Sequence, residues 1–84
     1  MIQIKNITVV NNNHHAVHLK FTWPEGDEGY VLQPASQVKP RLDDIAENTE
    51  IHLEAGKEKL AVFYSAGAPD RKLVLMPNDI MEWQ

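Results

Sequence analysis

The chain has 84 residues, of which 43% are hydrophobic, with no cysteine and a formal net charge of −4. This length suits one domain over residues 1–84 with one modest core, and the lack of thiols excludes disulfides and thiolate metal sites. The eight Lys and Arg residues are scattered, so an acidic surface argues against nucleic acid as a partner.

The first segment carries two short strand patterns that are out of phase. Ile2 and Ile4 form one alternating set, and Ile7 and Val9 form the next. Either a β-bulge near residues 5 and 6 or a strand that passes between two sheets would shift the phase in this way. The asparagines at residues 11–13 predict a turn, which would join this segment to the next strand as a hairpin.

Residues 16–23 give the clearest strand signal. One side of the extended chain carries Val17, Leu19, Phe21 and Trp23. The polar residues that alternate with them lie on the other side. This period-two alternation is typical of a strand with one buried face and one solvated face. Pro24 ends the pattern and begins a predicted loop over residues 24–29.

The middle of the chain is less regular. A short strand is predicted at residues 30–33, followed by an edge strand at residues 36–42, because Pro40 cannot donate to a ladder. The alternative is one helical turn that begins at Pro40. We favour the extended segment, with a turn at residues 43–48.

Three further strands are predicted at residues 50–54, 59–65 and 72–76, with a turn at residues 55–58 and a short tail at residues 80–83. Six or seven short strands spaced by about ten residues indicate an all-β fold, a small and mainly antiparallel β-sandwich. The spacing is similar to the immunoglobulin-like pattern, although the Cys…Trp…Cys hallmark of that family is absent.

Apolar residues occur on both sides of two predicted strands, which predicts a binding surface. Phe63, Val74 and Met76 oppose the residues that face the core, and a chain of this size has little mass to cover a second face. We therefore expect contacts with a copy of the chain or another protein. The expected interface residues are Tyr30, Phe63, Val74, Met76 and Trp83. The alternative is a monomer whose tail covers this face.

The histidines are the main candidates for ion binding. His15, His18 and His52 could supply imidazole nitrogens to a metal, and His18 and His52 could meet across neighbouring strands. Extended geometry separates His14 from His18 by about 13 Å, so solvent-facing histidines are the favoured interpretation. The acidic loops lack calcium-loop spacing and are interpreted as solvated charge.

The sequence contains no nucleophile motif, paired catalytic carboxylates or glycine-rich phosphate loop. We therefore expect no enzyme activity and no cofactor. Because the first residues lack a signal-peptide pattern and no apolar run could span a bilayer, we expect a cytoplasmic protein without a membrane partner. The favoured function is a non-enzymatic interaction or structural module that self-associates. The alternative is a small metal- or ligand-binding protein that uses His15, His18 and His52.

Overall fold

Two β-sheets, packed face to face, form the structure, a computed structural model that describes residues 1–84 apart from the side chain of Asp79. In the described chain the strands are β1 (Gln3–Ile4), β2 (Ile7–Asn11), β3 (Val17–Trp23), β4 (Gly26–Leu32), β5 (Gln37–Val38), β6 (Glu50–Ala55), β7 (Glu58–Tyr64), β8 (Arg71–Met76) and β9 (Ile80–Trp83). Sheet A has the strand order β1-β7-β6-β3-β4, and sheet B has the order β5-β2-β8-β9. The small β-sandwich expected from the sequence is confirmed, with more strands than the six or seven predicted.

The hydrophobic core lies between the two sheets and takes one side of each longer strand. In β3, Val17, Leu19 and Phe21 are buried and the residues between them are exposed, as the alternation predicts. Burial of each large aliphatic or aromatic side chain contributes about 1.5–3 kcal/mol. The fully buried apolar side chains are Phe21, Ile4, Ile7, Leu19, Ile51, Leu53, Leu73, Leu75, Val9 and Val62.

The phase shift near residue 5 arises because the chain passes from one sheet to the other. The strand β1 pairs in parallel with β7 in sheet A, whereas β2 pairs in parallel with β8 in sheet B. Ile4 and Ile7 therefore both face the core, from opposite sheets. The remaining strand pairs are antiparallel.

The hairpin predicted between the first two segments is wrong, because β2 and β3 belong to different sheets. The side chain of Asn11 fixes the segment in which the chain passes from sheet B to sheet A. Its Nδ2 donates to the carbonyl oxygens of His15 and Leu32, at 2.9 Å each, and its Oδ1 accepts from the Asn13 backbone N–H at 2.8 Å. Two of these bonds are local, and the bond to Leu32 links the end of β2 in sheet B to the end of β4 in sheet A.

The predicted loop at residues 24–29 is wrong over most of its length. The strand β4 begins at Gly26, so only Pro24 and Glu25 turn the chain. Polar residues and glycine weaken the strand signal here, but pairing with β3 overrides it. The turn between β6 and β7 lies where the sequence predicts it, and Gly56 has the positive φ of 60° that a two-residue hairpin turn favours.

The two edges of sheet B decide between the alternatives for the segment around Pro40 and for the tail at residues 80–83. The strand β5 lies at an edge of sheet B, within the predicted residues 36–42, but it covers only Gln37–Val38. No helical turn follows Pro40, and Leu42 and Ile45 are buried. The tail forms β9, which pairs with β8 and widens the sheet. The alternative in which the tail covers an outer face is therefore wrong. No helix in the described part of the chain has the length and apolar character to cross a membrane.

Candidate interaction surface

The outer face of sheet B carries four neighbouring apolar side chains. Val10 on β2 lies beside Val74 on β8, and Met76 lies opposite Ile80 on β9. Val74 and Met76 are two residues apart on one strand, so they share a face. We call the group of Val10, Val74, Met76 and Ile80 the sheet B patch.

Exposure varies across the sheet B patch in a way that suits a docking surface. Val74 is 8% exposed although it points away from the core, because side chains on β2 and β9 flank it. Ile80 is 54% exposed and therefore presents about half of its apolar side chain to solvent. Val10 and Met76 are half-buried. The patch therefore has a packed centre and one prominent apolar edge.

Polar side chains surround the sheet B patch on the same face. Thr8 and Lys72 lie side by side at one end, Gln37 lies beside Val10, and Glu82 lies beside Val74. At the other end, Asn12 Nδ2 is 3.9 Å from Met76 Sδ. An apolar centre with a polar rim is the usual anatomy of a protein–protein interface.

The outer face of sheet A has a different composition, because paired polar and charged side chains lie there beside the apolar residues Val31 and Phe63. Lys20 Nζ lies 3.8 Å from Asp27 Oδ2, and Lys59 Nζ lies 3.9 Å from Glu54 Oε2. His52 Nε2 lies 2.5 Å from Glu50 Oε2. All these side chains are well exposed, so each pair contributes little to stability. On this face the exposed Val31 therefore has charged and polar neighbours, and no apolar group like the sheet B patch surrounds it.

A shallow depression of about 620 Å³ lies on the sheet A side, beside Gly29, which has no side chain to fill it. Its lining includes Lys20, Asp27 and Glu54, whose charges are already matched within the chain. The depression therefore offers no unmatched cluster of charge that would select a ligand.

The structure separates the five interface residues that the sequence predicts. Val74 and Met76 lie together on the outer face of sheet B. Phe63 lies on the outer side of sheet A, beside Gln3 and Glu50, and so on the opposite side of the molecule. Tyr30 and Trp83 face inward and pack against the core.

Tyr30 is a core-facing residue at the margin of the sandwich. Its ring meets Phe21 edge to face, with centroids 6.1 Å apart and an interplanar angle of 86°. Burial disfavours the phenolate and, with the neighbouring Glu28 carboxylate, raises the pKa of Tyr30 to about 12. These contacts give Tyr30 a structural role at the margin of the core, and its role as an interface anchor stays a prediction.

The three candidate metal-binding histidines do not come together. His52 lies opposite Thr22 on β3, four residues from His18, so the expected pairing of His18 with His52 is wrong. Four residues of strand correspond to about 13 Å. His15 lies in the crossing segment, where its Nδ1 is 3.0 Å from the Ala16 carbonyl oxygen. Among the described residues, no group of three His, Asp or Glu side chains could hold a metal ion.

Comparison with known proteins gives no functional guide. No family model, curated protein or solved structure matches this chain.

Proposed function

We propose that this chain is a non-enzymatic interaction module that associates with copies of itself through the outer face of sheet B. The sheet B patch carries the proposal. Four apolar side chains lie together there inside a polar rim, whereas the other outer face carries two lysine–carboxylate ion pairs. Association would remove this apolar surface from water, at about 25 cal/mol per Å² before the costs of binding.

A matched pair of substitutions tests this proposal. Ile80 on the sheet B patch is 54% exposed, and Val31 on the outer face of sheet A is 56% exposed. Both are β-branched aliphatic residues in strands. A difference between the two lysine substitutions therefore reports which outer face takes part in association, and not which type of residue was replaced. At such exposed positions neither substitution removes a core contact, so both variants should fold.

The measurement is molar mass by light scattering over a range of concentrations. We expect the wild-type mass to rise above the 9.6 kDa of one chain as concentration increases. Ile80→Lys should weaken association at least about tenfold, which corresponds to 1.4 kcal/mol. Val31→Lys should change it by no more than about twofold. A constant mass of one chain, or equal effects of the two substitutions, would contradict the proposal.

A further inference from the structure

We infer that two copies of this chain dock through the sheet B patch about a closed two-fold axis, with Lys72 of each copy against Glu82 of the other. This inference rests on the proposed function, because it specifies how the same surface binds its partner. It predicts a dimer that stops at two chains, because both copies use the same surface.

Two charges of opposite sign border the centre of the patch. Lys72 lies two residues from Val74 on β8, and Glu82 lies opposite Val74 on β9. Both residues are exposed, and among the described side chains neither has an ion-pair partner. This differs from the outer face of sheet A, where Lys20 and Lys59 are both matched within the chain.

A two-fold interface brings one surface against itself, so its charges meet their own copies. A border with a single sign of charge would repel itself. Among the described side chains, this border carries one cation, Lys72, which lies along β8 from Val74, and one anion, Glu82, which lies opposite Val74 on β9. Rotation about an axis near Val74 places Lys72 of one copy near Glu82 of the partner subunit, and the reverse pair forms by symmetry. Such reciprocal pairs fix the orientation of two chains more than they add affinity.

Complementary charge reversals test this geometry directly. In Lys72→Glu, two glutamates face one another at each of the two contacts, and in Glu82→Lys, two lysines do so. Each variant alone should therefore have the mass of one chain at concentrations where the wild type has the mass of two. In an equimolar mixture, every contact again joins a lysine to a glutamate. The mass should return to that of two chains, as it should in the double variant Lys72→Glu/Glu82→Lys.

Controls with the same changes in net charge come from the turn between β6 and β7. Lys57→Glu and Glu58→Lys lie at exposed positions outside the patch and should leave the wild-type mass unchanged. Recovery of mass in the mixture excludes unfolding as the cause, because two unfolded chains would not restore a discrete dimer.

The outcomes separate this inference from the proposed function. If the wild type self-associates but the single reversals still associate, or the mixture fails to recover, the two-fold geometry is wrong and self-association stands. Growth of the wild type beyond two chains would also contradict the closed dimer. A wild type that keeps the mass of one chain at every concentration overturns both proposals.

Discussion

Asn11 and Asn13 hold together the end of the sandwich where the chain leaves sheet B. Asn11 has no exposed surface, and its side chain makes three hydrogen bonds. Asn13 Nδ2 donates to the Leu75 carbonyl oxygen at 3.2 Å. Among the described residues, no buried side-chain nitrogen or oxygen lacks a partner. Three consecutive asparagines predict a turn because asparagine tolerates positive φ and bonds to its own backbone, and the sequence gives no sign that two of them are buried.

We expect Asn11→Asp to lower the free energy of unfolding by about 3 kcal/mol or more. The substitution removes the two N–H donors and places a carboxylate beside the carbonyl oxygens of His15 and Leu32. Urea denaturation measures the loss. Asn12→Asp is the control, because Asn12 is exposed and the chemical change is identical. Equal losses in the two variants would show that burial of Asn11 is not the cause.

Tyr30 should make stability depend on pH in the alkaline range. Its pKa rises from 10.0 to about 12 in the folded chain, first through burial and then through Glu28. Above pH 10 the unfolded chain releases this proton while the folded chain retains it, so stability falls as pH rises. The contribution is complete below pH 10 and is lost as the pH rises through about 12. Two pKa units correspond to about 2.7 kcal/mol, and solvent screening of this partly exposed ring reduces the change to about 1–2 kcal/mol. In Tyr30→Phe the fall should be smaller by this amount, and identical pH profiles would contradict the assignment.

Among the strands, those with one buried face are the ones that the sequence predicts best. Alternation in β3 and β6 identifies both the strand and its inward residues. The sequence misses the first four residues of β4, because two of them are glycine and two are acidic, and it predicts a strand only from residue 30, although a two-residue turn joins β4 directly to β3. Strand order and the register between strands that are far apart in the chain are long-range properties. The sequence could therefore not show that Thr22, and not His18, lies opposite His52.

The strand β9 closes one side of the core, so Trp83 should contribute to stability. Trp83 lies opposite Leu73 and packs against the core while half-buried. We expect Trp83→Ala to lower the free energy of unfolding by about 2 kcal/mol, which is less than for a fully buried tryptophan. Gln84→Ala, at an exposed position that follows β9, should cost less than about 0.5 kcal/mol. Denaturant midpoints measure both losses. If the midpoints of the two variants agree within error, the contact of Trp83 with the core does not contribute to stability.

At the scale of the whole molecule, the two outer faces have opposite character, and the sequence predicts only part of this. Alternation identifies Val74 and Met76 as outward-facing residues of the candidate surface. The sequence does not identify Val10 and Ile80 as part of this surface, because their positions beside Val74 and Met76 depend on how β2 and β9 pair with β8. Phe63 has the same local pattern as Met76 but lies in the other sheet. Which apolar residues share a surface is therefore set by topology.

Self-association should also make thermal stability depend on protein concentration. A dimer that forms only from folded chains shifts the folding equilibrium by mass action, so the Tm should rise with concentration. The rise should be absent in Ile80→Lys over the range where that variant has the mass of one chain. Calorimetry at two concentrations about a hundredfold apart measures the effect. A wild-type Tm that does not change with concentration would argue against a folded dimer.

The parallel pairs β1–β7 and β2–β8 also govern what happens while the chain is being made. The partners of both strands follow much later in the chain, since β2 pairs in parallel with residues 71–75. Until β8 is synthesised, β2 can pair only with the short strand β5, and the long loop that joins β2 to β8 remains unclosed. A stalled nascent chain would therefore expose apolar residues of an incomplete sheet B, which favours aggregation.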